Sequence, residues 1–196
     1  RDQPRSRGLG DVYKRQEWTF GYPAATGIGT QHGGILVDFN AVKGGIEIIP
    51  LDNDWQKAAH VYSDEVLISH RTDAEKGTPK FERGKSLSDH QCEMIYISGT
   101  AAIRGEESIV TGDVLVQTEI TLENIQHLIG LEEGREKLPE HSGKLELLRV
   151  YLKHEEDAKI VKEDMDKLCP DVPIVYLYAD VCREELLVEI EGIAYL

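Results

Sequence analysis

Apolar and polar positions alternate most regularly near the end of the chain, in LLVEIEGIAY. As a β-strand this stretch puts Leu186, Val188, Ile190, Gly192 and Ala194 on one face, and Leu187, Glu189, Glu191, Ile193 and Tyr195 on the other. The first set is a core face. The second places two carboxylates among large apolar groups, which suits neither a plain solvent face nor a plain core. Alternation alone leaves two readings open, a chemical site or a wet sheet surface.

Upstream, ILVDFNAV (Ile35 to Val42) and GIEIIPL (Gly45 to Leu51) are β-like and split by Lys43-Gly44, which predicts a hairpin. Residues 52 to 88 are mixed and polar, and read as the end of one domain and a crossing to the next. CEMIYISGTAAI (Cys92 to Ile103) is a strand, followed by a polar loop, RGEES. Asp113 can cap a helix running to about Leu131, with Leu115, Leu122, Ile125 and Ile129 as its core stripe. Gln117, Thr121, Asn124 and Leu128 share another face, and Gln117 and Asn124 are expected to brace the helix against a neighbouring loop. LELLRVYL (Leu145 to Leu152) is a strand and EEDAKIVKEDMDKL (Glu155 to Leu168) a second helix, with acids in its first turn and Pro170 and Pro173 beyond its end. PIVYLYAD (Pro173 to Asp180) is the penultimate strand. The order from Cys92 onward predicts an α+β sandwich, two helices on one face of a mixed sheet.

Charge narrows the choice of partners. The chain of 196 residues has 22 Lys and Arg against 36 Asp and Glu, a formal net charge of -14. Such a field repels phosphate backbones and anionic membrane surfaces, so neither nucleic acid nor membrane is an expected partner. A small anionic metabolite needs local basic groups to receive it. Three cysteines without CxxC spacing argue against a disulfide framework and a structural zinc site, and point to a reducing, cytoplasmic setting. The seven histidines form no HxH, HxxxH or HExxH pair, so neither metal nor cofactor is expected.

The first residues, RDQPRSRGLGDVYKRQ, differ sharply in composition from the rest of the chain, and DVYKRQ looks like a translated sequencing adapter. Three segments are therefore expected: 1–16 of adapter origin, 17–88 the remnant of an N-terminal β-rich domain with its junction, and 89–196 the α+β unit. The Gly- and Thr-rich GYPAATGIGTQHGG could cradle an anion with backbone N–H groups or simply connect strands.

Three pieces in order, ISGTAAIRGEES with GDVLVQTEITLENIQHLI, then RVYLKHEEDAKIV, then VCREELLVEIEGIA, resemble the RidA/YjgF (endoribonuclease L-PSP) superfamily over about 105 residues. The first and last are most similar to its chorismatase-like branch, and YPAATGIGT and PKFERG also look like that branch. The resemblance implies a YjgF/chorismate-mutase-like sandwich assembled as a homo-oligomer, commonly a trimer, or as a pseudo-trimeric fusion with clefts between units. RidA imine deaminases bind the substrate carboxylate through an Arg shortly after a Pro in the penultimate strand. The matching position here is Val175, which supplies no guanidinium. An Asn of the same pocket matches Glu156, while Ser98 and Gly99 match the family's SG pair and Glu189 its strand carboxylate.

The chorismatase-like branch splits the enolpyruvyl ether of chorismate and releases pyruvate, using a Glu of the last strand as an acid. For Glu189 to do so near pH 7, its pKa must rise by about 2.7 units, roughly 3.7 kcal/mol. Burial and the like charge of Glu191 both act in that direction. The resemblance thus implies Glu189 as catalytic residue, with Ser98, Gly99, Thr100, Arg104, Arg183 and Glu191 around the substrate. Arg149 and Lys153 are further basic candidates, and Tyr151 and Tyr178 are expected to be packing aromatics. An imine or enamine deaminase with an altered anchor and a non-catalytic small-molecule binder are the competing expectations.

Overall fold

The computed structural model describes residues 21–30, 35–67, 77–89, 91–130 and 144–195. The segment expected to be adapter-derived and the expected helix end at Leu131 lie outside them. Six strands form one sheet in the order β1-β2-β3-β8-β6-β7, namely Glu47–Leu51, Gly84–Ser88, Glu93–Ala101, Val188–Tyr195, Lys144–Leu152 and Ile174–Tyr178. All neighbours pair antiparallel except β6 and β7, which run parallel through the intervening helix. The sheet is therefore mixed, as the element order predicts.

Helices α1 (Val114–Leu128) and α2 (Ala158–Leu168) pack on one face of it. Asp113 caps α1 by accepting from the N–H groups of Leu115 at 2.9 Å and Val116 at 3.4 Å. The predicted stripe faces the core through Leu122, Ile125 and Ile129, with Leu115 at its margin. Val161 and Met165 of α2 join the same core, against Leu148, Val150, Val188 and Ile190 of the sheet. A 3-10 turn, Glu155–Asp157, leads into α2, so the predicted helix starts with a tighter turn.

Two local expectations differ from the structure. Ile35 to Val42 forms no strand: Ile35 is 93% and Phe39 78% exposed, and β1 pairs instead with β2. The Lys43-Gly44 signal is local, whereas the pairing that forms is with a segment more than 30 residues further on. RGEES, expected to be a loop, folds into a small hairpin of β4 (Ile103–Arg104) and β5 (Glu107–Ser108) turning at Gly105, whose φ of 60° needs a glycine. Both β1 and β2 fall in the segment read from sequence as remnant and junction, yet they extend the sheet of the α+β unit. No helix among the described residues is long and apolar enough to cross a membrane.

The sheet face away from the helices carries Glu189 and Glu191. Register places Tyr151 opposite Glu189 and Arg149 opposite Glu191 on β6 and β8, with Val175 and Leu177 of β7 beside them. On the other flank, Lys85 and Tyr96 pair across β2 and β3 on this same face.

Candidate active site

β3 and β8 lose register between Ile97 and Thr100, where three steps on β3 face two on β8. This β-bulge takes one extra residue at Ser98–Gly99 and re-aims the strand beside the Glu189 pairing position. Ser98 is buried and its hydroxyl donates to Glu82 O at 2.6 Å while accepting from Ala25 N at 3.0 Å. Gly99 N donates to Thr26 Oγ1 at 2.8 Å. A Cβ on Gly99 would stand 2.1 Å from Glu189 Oε1 and 2.8 Å from Thr26 Cγ2, so only a glycine leaves this room.

Residues 22–30 form a strap over the bulge. Tyr22 N donates to Glu82 Oε1 at 2.9 Å, and Glu82 N to Pro23 O at 3.0 Å. Gly29 and Asp180 exchange backbone hydrogen bonds at 2.9 and 3.1 Å, fixing the strap's other end. The N–H groups of Tyr22, Ala25 and Gly29 are thus spent on protein acceptors.

Glu189 is 6% exposed, and among the described residues no hydrogen bond reaches its carboxyl. Burial first, and the neighbouring Glu191 charge second, push the carboxyl up to about 7, against the opposing charge of Arg83. Glu191 has a different setting: Arg149 Nη1 pairs with its Oε1 at 2.5 Å and Tyr151 OH donates to the same oxygen at 2.7 Å. Burial, then the hydrogen bond to Glu191, pushes the Tyr151 phenol up to about 12, so it stays protonated and donates. Two carboxylates on one strand therefore differ in kind, one an anion tied to a cation and the other a buried acid that holds its proton near neutrality.

The remaining candidates fall in three places. Thr100 pairs with Ile190, on the helix side of the sheet, and its hydroxyl donates to Ser98 O at 2.9 Å. Arg104 is bound to Glu123 at 2.6 Å, its guanidinium 4.5 Å over Trp55, which stacks in turn on His127 at 4.1 Å. Arg183 is buried, donating to Glu106 O at 2.9 Å and Ser108 Oγ at 3.0 Å. It borders a cleft of about 290 Å³ whose Glu65, Glu107 and Glu185 make it a poor receptor for an anion. Ser98, Gly99 and Glu191 are thus the candidates gathered at Glu189, while Arg104 is engaged elsewhere and Arg183, spent on Glu106 and Ser108, lies 5.5 Å from the Tyr62 ring that Arg83 also meets. Lys153 donates to the carbonyl of Glu184 at 2.7 Å. Gln117 and Asn124 do brace α1: Gln117 bonds Glu185 O and Leu187 N at 2.9 and 2.8 Å, and Asn124 bonds the carbonyls of Ala101 and Ile103.

Sequence reasoning missed Arg83 and Thr26. Arg83 lies in FERG, singled out only as part of a junction, and Thr26 in a loop whose course no local pattern fixes. Local pattern marks neither as a neighbour of Glu189, because tertiary packing brings both to it.

Sequence and structure comparisons both find chorismatases. No family model matches the chain. A chorismatase of Streptomyces rapamycinicus is 35% identical over 179 residues, 87% of this chain and 50% of that protein. A 3-hydroxybenzoate synthase of Streptomyces hygroscopicus is 32% identical over 201 aligned residues, 95% of this chain and 55% of that protein. The chain spans about half the length of the curated relatives it matches. A crystal structure of a chorismatase superposes with a TM-score of 0.64 at 28% identity, over 88% of this chain and 50% of that one. The endoribonuclease L-PSP homologue of Entamoeba histolytica gives a TM-score of 0.51 at 12% identity, over 76% of this chain and 100% of that one, which is a likeness of fold alone. With the sheet order, the bulged SG pair and the buried strand carboxylate already in place, the chain is similar to chorismatases in sequence and fold over about half of their length, and it shares the fold of the endoribonuclease L-PSP homologue.

Proposed function

We propose that the protein hydrolyses the enolpyruvyl ether of chorismate, or of a closely related metabolite, to pyruvate with Glu189 as general acid. The observation that carries this reading is the buried Glu189 carboxyl, without a hydrogen bond among the described residues and pushed up to about 7. An enol ether is activated by a proton on its terminal carbon, and a carboxylic acid with a pKa near the working pH is the group that step needs. Glu189 gives its proton to the methylene carbon, leaving an oxocarbenium centre next to its own new carboxylate. Water adds there and returns a proton to Glu189. The resulting hemiketal collapses, breaking the bond to the ring oxygen, which leaves as the alcohol while the three-carbon fragment leaves as pyruvate. Glu191, held by Arg149, stabilises the cationic centre at close range and favours the protonated resting state of Glu189.

The imine deaminase reading has less support. Val175 stands on the open face, 47% exposed beside Arg149, where that chemistry needs a guanidinium for the substrate carboxylate. The exposed Val175, Leu177 and Tyr195 on this face are apolar ground for a neighbouring unit of the same fold, in a homo-oligomer or within a longer chain. The free cysteines Cys92, Cys169 and Cys182 fit a reducing cytoplasm. Pyruvate release from chorismate, followed by coupling to lactate dehydrogenase, tests the reading. Turnover that is lost in Glu189→Gln supports it, and no pyruvate from the folded protein removes it.

A further inference from the structure

Arg83 lies just before β2, two residues from Lys85, and alternation carries both toward the open face. Its carbonyl accepts from Ser98 N at 3.0 Å, which sets it directly against the bulge of β3. Glu189 is across that bulge on β8, and Gly99 contributes no side chain between the two strands' charges. The Arg83 charge acts on the Glu189 carboxyl, in opposition to Glu191.

Arg83 is 4% exposed and rigidly held. Nη2 donates to Lys57 O at 2.6 Å and to the Tyr62 hydroxyl, and the guanidinium lies 5.5 Å from the Tyr62 ring and 5.6 Å from that of Phe81. Its other donors are unspent among the described residues: Nε is buried without a partner, and Nη1 makes no hydrogen bond. A buried guanidinium with idle donors is costly unless a ligand completes it. The other basic candidates are committed, Arg104 to Glu123, Arg149 to Glu191, and Arg183 and Lys153 to carbonyl oxygens.

We propose that Arg83 is a substrate-binding residue, receiving the carboxylate of the group that Glu189 protonates. This deepens the enol-ether reading and rests on it for the identity of the substrate. Two strand spacings, about 10 Å, separate the backbones of Arg83 and Glu189, so both side chains stand over one stretch of the open face. The enolpyruvyl unit carries the two groups that such a pair would meet. Its carboxylate and its terminal methylene are both attached to the central carbon, so cation and acid must be neighbours. A planar guanidinium fork fixes the carboxylate plane and thereby the face of the double bond offered to Glu189.

Calorimetric titration with chorismate and with pyruvate, each a probe that carries this carboxylate, tests this in a Glu189→Gln background that blocks turnover. Adding Arg83→Gln is expected to weaken binding about 30-fold or more, and Arg83→Lys about 10-fold, because a point charge replaces a fork. Equal affinity in all three proteins overturns the proposal. If circular dichroism shows the Arg83→Gln protein unfolded, Arg83→Lys decides, and an unchanged affinity there overturns it equally. A wild-type protein that binds a probe in an Arg83-dependent way without releasing pyruvate removes the hydrolase reading and keeps Arg83 as the anchor. Failure of the folded protein to bind either probe overturns the anchor itself.

Discussion

Gly99 and Glu189 share one space: the carboxyl of one occupies the position where the other would carry a Cβ, 2.1 Å from Oε1. The Thr26 methyl closes the same gap from the strap side at 2.8 Å. Gly99→Ala must therefore displace the carboxyl or the strap. A displaced acid is expected to lower kcat/KM on the order of 10- to 100-fold, with overpacking costing about 1 to 3 kcal/mol. Steady-state pyruvate release and denaturant unfolding of the same preparation separate the two effects, and a variant with wild-type turnover would show that Glu189 has room to spare.

The proton on Glu189 links stability to pH with a definite sign. Its carboxyl is raised from 4.5 to about 7 on folding, so the folded state binds the proton more tightly. Relative stabilisation is complete below the unfolded value and is lost as pH rises through about 7. Glu189→Gln escapes that loss. Urea unfolding should find the variant more stable than wild type at pH 8 to 9, by up to about 3 kcal/mol, with the difference shrinking toward pH 4. A constant difference across that range would mean that Glu189 does not titrate as its burial implies.

Glu191 sets where that titration falls. Removing its charge in Glu191→Gln takes away a group that raises the Glu189 carboxyl and leaves Arg83 unopposed. The alkaline limb of the pH–rate profile for pyruvate release should move to lower pH, because Glu189 then loses its proton earlier. Movement in the other direction would contradict the like-charge account.

The core of the fold was legible because burial imposes a period. The set Leu186, Val188, Ile190 and Ala194 is fully buried, and Asp113 begins its helix where an N-cap should. Glu189 stood out for the complementary reason, a carboxylate in an apolar row that a solvated face does not explain. Ile35 to Val42 misled because β-propensity measures fitness for a strand without naming its partner, and β2 outcompeted that stretch. Arg104 and Arg183 looked available because a sequence shows charges and hides Glu123, Trp55, Glu106 and Ser108, which claim them.

Gln117 ties α1 to the turn that delivers β8, through both ends of its amide. Gln117→Leu keeps the volume and strands the Glu185 carbonyl and Leu187 N–H inside the protein. The expected cost is about 2 to 5 kcal/mol. Thermal unfolding and amide exchange at Leu187 report it, and protection at Leu187 equal to wild type would show that water replaces the amide.

The position of β8 has a consequence for how the chain becomes a protein. The last strand described lies in the middle of the sheet, between β3 and β6, joined to a partner some 90 residues earlier in sequence and to another some 40 earlier. A ribosome that has released β1 to β7 has therefore released two half-sheets with a slot between them. Each half presents an unpaired edge that invites aggregation until residues 188–195 emerge and fill it. Glu189 enters its pocket in that same closing step, so during synthesis the acid arrives only with the strand that completes the sheet.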